Sequence, residues 1–265
     1  MAGGDRVLGA GGSAIRYRLE GDGPPVALVH GVGSRLEAWD GVVRELGGAF
    51  RTLRYDLRGH GGSGKPPGPY GLDDFVADLV RLLDHLGVAR CHVVGFSLGG
   101  LIGQAFALRH PERLDRLALI SAIAGRTEEE RARVMERLRT VEGGVSGEHF
   151  QRSVDRWFTP GFQRANPGVI AELAEANRRN DPAGYAAAYR VLAEGDLAGE
   201  LHRIGAETLV MTGEHDAGST PRMARLMAER IPGARLHILP GLRHSVLIEA
   251  PAVVAGILRD FLDRP

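Results

Sequence analysis

Between Cys91-His92-Val93-Val94 and Leu101-Ile102-Gly103-Gln104-Ala105-Phe106-Ala107-Leu108 the chain carries Gly95-Phe96-Ser97-Leu98-Gly99, followed at once by Gly100. The first flank is a short apolar run that reads as a buried strand, and the second has apolar positions at helical spacing. A serine held between strand and helix, with glycine two residues away on each side, is the G-x-S-x-G elbow. So sharp a turn forces the serine into a strained backbone conformation, and side chains at the flanking glycines would collide with neighbouring elements. The helix that starts there points free N–H groups and the positive end of its dipole at the serine, where a developing oxyanion needs stabilising.

Strand-helix alternation surrounds this turn. Arg6-Val7-Leu8 and Ala14 to Leu19 read as an antiparallel pair at a sheet edge. Pro25 to Val29 is an apolar strand running into the glycine-rich loop His30-Gly31-Val32-Gly33-Ser34, which lacks the spacing of a phosphate loop. An amphipathic helix over 35–48 follows, then strand Arg51 to Tyr55, helix Leu72 to Leu86 and the elbow unit. Strand Leu117 to Ser121 comes next, and after residue 204 the rhythm resumes with strand Thr208 to Gly213, helix 220–231, strand Arg235 to Leu239 and helix 249–262. The prediction is an α/β fold: a mostly parallel eight-stranded sheet covered by helices on both faces.

From about Ala122 to Ile204 strand-like runs are absent, and Glu128 to Val141, Gly147 to Phe158, Val169 to Asn180 and Pro182 to Ala193 read as helices. This predicts a core over 1–121 and 205–265, with a helical cap over 122–204. Parallel strands put their carboxyl ends together, so both cap junctions are expected at the Ser97 edge, with the cap roofing a pocket floored by Ser97, His244 and Val32.

With 33 basic residues against 33 acidic ones, no basic field draws in nucleic acid or an anionic membrane. The single cysteine, Cys91, excludes an intramolecular disulfide and a cysteine-rich metal cluster. Met1 to Arg6 lacks a signal peptide's apolar region, and no apolar run approaches a membrane span. A cytoplasmic protein is expected, with no nucleic-acid or membrane partner.

A serine hydroxyl needs a base within hydrogen-bond reach, itself oriented by an acid. Ten histidines compete for the first role. His85, His92, His202 and His237 fall inside expected helices or strands, and His110 and His149 lie in or beside helices. His30 and His60 sit beside glycines and read as turn-shaping residues. His244 remains, on the loop directly after the last strand. The acid belongs after a strand between serine and histidine, and Gly213-Glu214-His215-Asp216 supplies it. Asp216 is the candidate, with Glu214 and His215 as fallbacks. The loop after the preceding strand, Ser121-Ala122-Ile123, carries no carboxylate.

The order Ser97, Asp216, His244 in these surroundings resembles the α/β-hydrolase fold family. His30-Gly31-Val32-Gly33 is similar to that family's oxyanion loop, and Tyr55-Asp56-Leu57-Arg58-Gly59-His60-Gly61 to its strand-end turn. The resemblance implies a serine hydrolase with an oxyanion hole made by the backbone N–H groups of Val32 and Leu98, and it implies no metal or organic cofactor. Serine in the elbow sets the chain apart from the dehalogenases and epoxide hydrolases of this fold, which use aspartate. Ser245 after the histidine departs from the tryptophan of the carbon–carbon hydrolases; cofactor-free haloperoxidases, which share the Gly-Phe-Ser start, stay open.

Within the cap, Arg156-Trp157-Phe158-Thr159-Pro160-Gly161-Phe162, Asp181 to Ala187 and Asp196-Leu197 resemble the 3-oxoadipate enol-lactonases. That likeness implies a small substrate, a carboxylated enol-lactone, cleaved through an acyl-enzyme. Hydrolysis of an enamide such as an acylaminomethylene-succinate, general carboxylesterase activity, and a non-enzymatic small-ligand receptor are the alternatives. A substrate carboxylate needs a cation, for which Arg35, Arg126 and Arg190 are candidates. Trp157 and Tyr189 are candidates to line the pocket or to pack the cap's own core.

Overall fold

The computed structural model describes residues 4–143 and 146–263; the side chains of 146–149 and 152, His149 included, lie outside the described set. Eight strands form one sheet among these residues: β1 (Arg6–Leu8), β2 (Ile15–Glu20), β3 (Pro25–Val29), β4 (Arg51–Tyr55), β5 (Cys91–Phe96), β6 (Leu114–Ile120), β7 (Glu207–Gly213) and β8 (Arg235–Leu239). Their order is β1-β2-β4-β3-β5-β6-β7-β8, antiparallel at the β1-β2 and β2-β4 pairings and parallel elsewhere.

Side chains alternate between the two faces of each central strand, and both faces are buried. Ala27, Val29, Val93, Leu117 and Leu119 pack against α2 (Leu72–His85), α3 (Leu98–Arg109) and α9 (Pro221–Arg230). Val26, Leu28, Val94, Ala118 and Ile120 pack on the opposite side against α1 (Asp40–Leu46) and α11 (Pro251–Leu262). The apolar runs that marked the strands are therefore continuous rather than alternating because neither face meets water. α3 is buried all round from Leu98 to Ala107, which explains its uninterrupted apolar composition.

Several boundaries differ from the expectation for local reasons. The helix expected over 35–48 opens as a 3₁₀ turn at Leu36–Trp39 before α1. The final helix divides into α10 (Val246–Glu249) and α11 at Ala250, which at φ −139° and ψ 51° lies outside the helical region that the following Pro251 disfavours. β6 begins at Leu114 rather than Leu117, its first turn of sequence hidden by the polar pair Asp115-Arg116.

Residues between β6 and β7 carry α4 (Glu128–Glu142), α5 (Ser146–Trp157), α6 (Pro160–Ala165), α7 (Pro167–Arg178) and α8 (Pro182–Glu194). α6 was not expected; Thr159 caps it by accepting from the Phe162 N–H, and Pro160 occupies its first position. The register aligns Phe96 with Ile120, so the chain leaves the sheet beside Ser97. It re-enters at Glu207, paired with Arg116 near the start of β6. The second junction therefore lies at the opposite, amino edge and not at the Ser97 edge as expected, because a parallel crossover must return to the edge where strands begin.

Candidate active site

Ser97 stands between β5 and α3 with φ 55° and ψ −114°, outside the regions open to ordinary residues. Such a conformation costs about 1–3 kcal/mol and persists only where packing enforces it. Here the enforcement is close backbone contact: a Cβ on Gly95 would lie 2.1 Å from the Gly99 carbonyl, and one on Gly99 2.1 Å from that of Val29. Leu98 is the first residue of α3, so its N–H has no carbonyl one helical turn back.

The loop after β3 crosses directly over the serine, since a Cβ on Gly31 would come within 3.0 Å of the Ser97 Cβ. Two fully buried histidines hold this loop. His30 Nε2 accepts from the Leu57 N–H at 3.0 Å, and its Nδ1 donates to the Gly31 carbonyl at 2.7 Å. His60 Nε2 accepts from the Gly33 N–H at 2.9 Å while Nδ1 donates to the Arg58 carbonyl at 3.0 Å. Beneath them the buried Asp56 accepts from the N–H groups of Leu36 and Gly62 and from Arg16, each at 2.8 Å. The turn-shaping role read for His30 and His60 is the one they occupy.

This arrangement makes stability pH-dependent. Burial holds the His30 imidazole below its ordinary value, and burial with the adjacent His30 brings His60 down to about 3. Protonation would aim an Nε2–H at a backbone N–H. The unfolded chain takes these protons near pH ~6.5 while the fold resists them, so the histidines' contribution is complete above that pH. It is lost as the pH falls towards the folded-state values, at about 1.4 kcal/mol per pH unit for each ring. His92, also held low by burial, adds to the effect. Thermal unfolding is expected to move down by several degrees between about pH 7.5 and about pH 5.5. An unchanged Tm over that range would show that these rings do not enter the fold neutral.

Asp216 follows β7 and His244 follows β8. His244 Nδ1 donates to Asp216 Oδ2 at 2.7 Å, and Asp216 Oδ1 accepts from the N–H groups of Gly218 and Ser219 at 2.9 Å each. The carboxylate is 2% exposed, and its charge is met by these donors rather than by water. The Phe96 ring lies 5.1 Å from the His244 imidazole. Ser97 and His244 face one cavity with no hydrogen bond between them, the looser geometry common before substrate is bound. The fallbacks point elsewhere: Glu214 accepts from the Gly241 N–H at 2.8 Å, and His215 is exposed.

The histidine loop is tied to the helical segment. Ser245 N–H donates to the Trp157 carbonyl at 2.9 Å, Arg243 reaches the carbonyls of Asp155 and Phe158, and Glu249 accepts from Thr159 N–H and Oγ1 at 3.0 and 2.6 Å. A residue the sequence reading treated only as a missing carboxylate also supports it. Ser121 sits in the left-handed region at φ 46°, and its hydroxyl donates to the His244 carbonyl at 3.3 Å. A serine after a strand carries no signal of such a role.

The cavity of about 680 Å³ has Val32, Ser97 and His244 on the sheet side and Trp157, Asn177 and Tyr189 on the helical side. Trp157 and Tyr189 line it and pack the helices together. Trp157 meets Phe150 edge-on at 5.6 Å, and Tyr189 stacks on Tyr185 at 6.1 Å. The arginine candidates separate. Arg190 lies on the surface, paired with Glu142 and Glu194, and does not reach the cavity, because α8 turns its side chain outward. Arg126 is on the wall, but its guanidinium donates to the carbonyls of Leu192, Ala193 and Gly195, and burial pushes it down to about 10. Arg35 stands on the wall beside Glu37. Five cationic wall residues were missed: Arg16, Lys65, Arg137, Arg156 and Arg179. Arg137 was legible in principle, since it shares the helical face of the apolar Val134, Leu138 and Val141.

Among the described residues no helix is long and apolar enough to cross a membrane. The sequence profile of the alpha/beta hydrolase fold matches residues 24–251. 3-Oxoadipate enol-lactonase 2 of Acinetobacter baylyi is 31% identical over 240 residues, 90% of this chain and 89% of that protein. (E)-2-((N-methylformamido)methylene)succinate hydrolase of the same species is 28% identical, covering 93% of each chain. Among solved structures, the enol-lactonase from Burkholderia xenovorans LB400 superposes with a TM-score of 0.89 at 31% identity, over 98% of this chain and 100% of that one.

Proposed function

Because this chain belongs to the α/β-hydrolase fold family and is a hydrolase, we propose that it cleaves the ester bond of a small carboxylated lactone through an acyl-enzyme on Ser97. The observation that carries this reading is the buried Asp216–His244 pair opening onto the same cavity as the strained serine. Asp216 accepts the Nδ1 proton, so the imidazole presents a bare Nε2 as base. His244 takes the proton as Ser97 Oγ attacks the carbonyl carbon, then returns it to the departing oxygen. Water repeats the sequence on the acyl-enzyme and releases the acid. The N–H groups of Val32 and Leu98, on the loop and helix end that meet at Ser97, receive the oxyanion. Helices α4, α5, α7 and α8 act as the cap, closing the site to water and selecting the substrate by shape.

An enol-lactone suits this apparatus, since its leaving oxygen is that of a stabilised enolate, which departs protonated as an enol and tautomerises to a ketone. The relatives named for enol-lactone hydrolysis support that choice. A second reading, hydrolysis of an enamide, is favoured by the methylene-succinate hydrolase relative; an enamine leaves by the same logic, from the same triad.

A steady-state panel of a carboxylated enol-lactone, the matching enamide and a long-chain p-nitrophenyl ester tests the choice. The enol-lactone is expected to exceed the long-chain ester in kcat/KM by about 100-fold, a difference of about 2.7 kcal/mol. A preference for the enamide would select the second reading, and one for the uncharged long-chain ester would overturn both.

A further inference from the structure

We propose that Arg137 and Arg156 together form a carboxylate-binding subsite in the active-site cavity, and that the enzyme consequently holds short dicarboxylates. The subsite rests on the cavity being where the substrate binds, as proposed above. Both guanidiniums stand on the wall shared with Ser97 and His244, and both are half-buried.

What distinguishes them is the company they keep. Other inward-turned arginines have their guanidiniums taken up: Arg16 bonds Asp56 at 2.8 Å, Arg58 bonds Asp78 at 2.8 Å, the buried Arg54 pairs with Glu20 and Asp40, and Arg126 donates to three backbone carbonyls. Arg137 instead donates its Nε–H to the Tyr189 hydroxyl at 3.2 Å, and Arg156 donates to the Ser153 hydroxyl. Neither has a carboxylate within ion-pair distance among the described residues. The two are also near enough that Arg137's positive charge, after burial itself, holds the Arg156 guanidinium below its ordinary value. Two like charges on a partly dry cavity wall with no carboxylate bonded to either among the described residues are costly, and the Asp216 carboxylate that offsets Arg156 in part is already paired with His244. A carboxylate placed between them removes the repulsion and uses the guanidinium donors that Tyr189 and Ser153 leave over among the described residues.

The reaction gives this pairing a consequence. Attack on a lactone that already carries one carboxylate breaks the acyl carbon–oxygen bond, and water adds across it to free a second carboxylate at Ser97. The product is then a dianion spanning the subsite and the oxyanion region, so short dicarboxylates act as competitive ligands.

The test measures Arg137→Gln, Arg156→Gln and, as a surface control, Arg190→Gln. For each, kcat/KM is compared on a carboxylated ester and on its neutral methyl-capped counterpart. Each cavity variant is expected to lower the carboxylated-to-neutral ratio by about 50-fold, mostly through KM, with partial recovery in Arg156→Lys; Arg190→Gln leaves the ratio unmoved. Glutarate binding to the Ser97→Ala protein, read by calorimetry, needs no turnover. It is expected to weaken by at least about tenfold when Arg156→Gln is added. An unchanged ratio, a parallel loss on both esters, or glutarate affinity indifferent to Arg156 would overturn the subsite. A wild-type preference for neutral esters, with glutarate binding still dependent on Arg156, would instead remove the carboxylated-lactone reading and leave the subsite standing.

Discussion

Hydrolysis by Ser97→Ala is expected to fall about four to six orders of magnitude below that of the native chain, with near-native circular dichroism and Tm. The size of the loss follows from what remains. In the proposed mechanism no acyl-enzyme forms without an oxygen at the elbow, and the donors at Val32 and Leu98 would be left to assist direct attack by water. The fold is expected to survive because the strain at this position belongs to the backbone, at φ 55°, and alanine carries it as serine does. The elbow is set by the contacts of Gly95 and Gly99, which the substitution leaves alone. A p-nitrophenyl ester assay checks the result, and activity near the native level would remove Ser97 from the mechanism.

Asp216→Asn is expected to lower kcat by about three to four orders of magnitude, with a smaller change in KM. The reason is a tautomer. Asp216 Oδ1 accepts two backbone N–H groups, from Gly218 and Ser219, so an amide at this position would keep its carbonyl oxygen there. Its NH₂ would then face His244 Nδ1, forcing that nitrogen to accept and moving the imidazole proton to Nε2. The base would be protonated where it must be bare. Glu214→Gln serves as the comparison, since that side chain faces the Gly241 N–H and solvent. Native activity in Asp216→Asn with loss in Glu214→Gln would transfer the acid's role to Glu214.

The sheet was legible because its central strands are short apolar runs that report burial on both faces, while β1 and β2 alternate as an edge pair does. Elements that depend on two segments were read less well. β6 was shortened because Asp115 and Arg116 break the apolar pattern, although their backbones pair normally. α6 escaped because its six residues are too few to show a helical period, and its existence rests on the Thr159 cap.

What the sequence determined by itself was the local chemistry: a serine that must be strained, a loop of glycines against it, and an aspartate and a histidine each placed just after a strand. These are readable because a turn is specified by its own residues, and parallel strands deliver their carboxyl ends to one edge. The tertiary structure alone decided which cations face the cavity. The chain is rich in arginine, and composition treats Arg126, Arg137, Arg156 and Arg190 alike. Their fates diverge because helix orientation sends Arg190 to Glu142 and Glu194 on the surface, folds Arg126 onto the carbonyls ending α8, and turns Arg137 and Arg156 inward. A side chain's direction depends on how its helix rolls against its neighbours, and that is a property of packing rather than of any one segment.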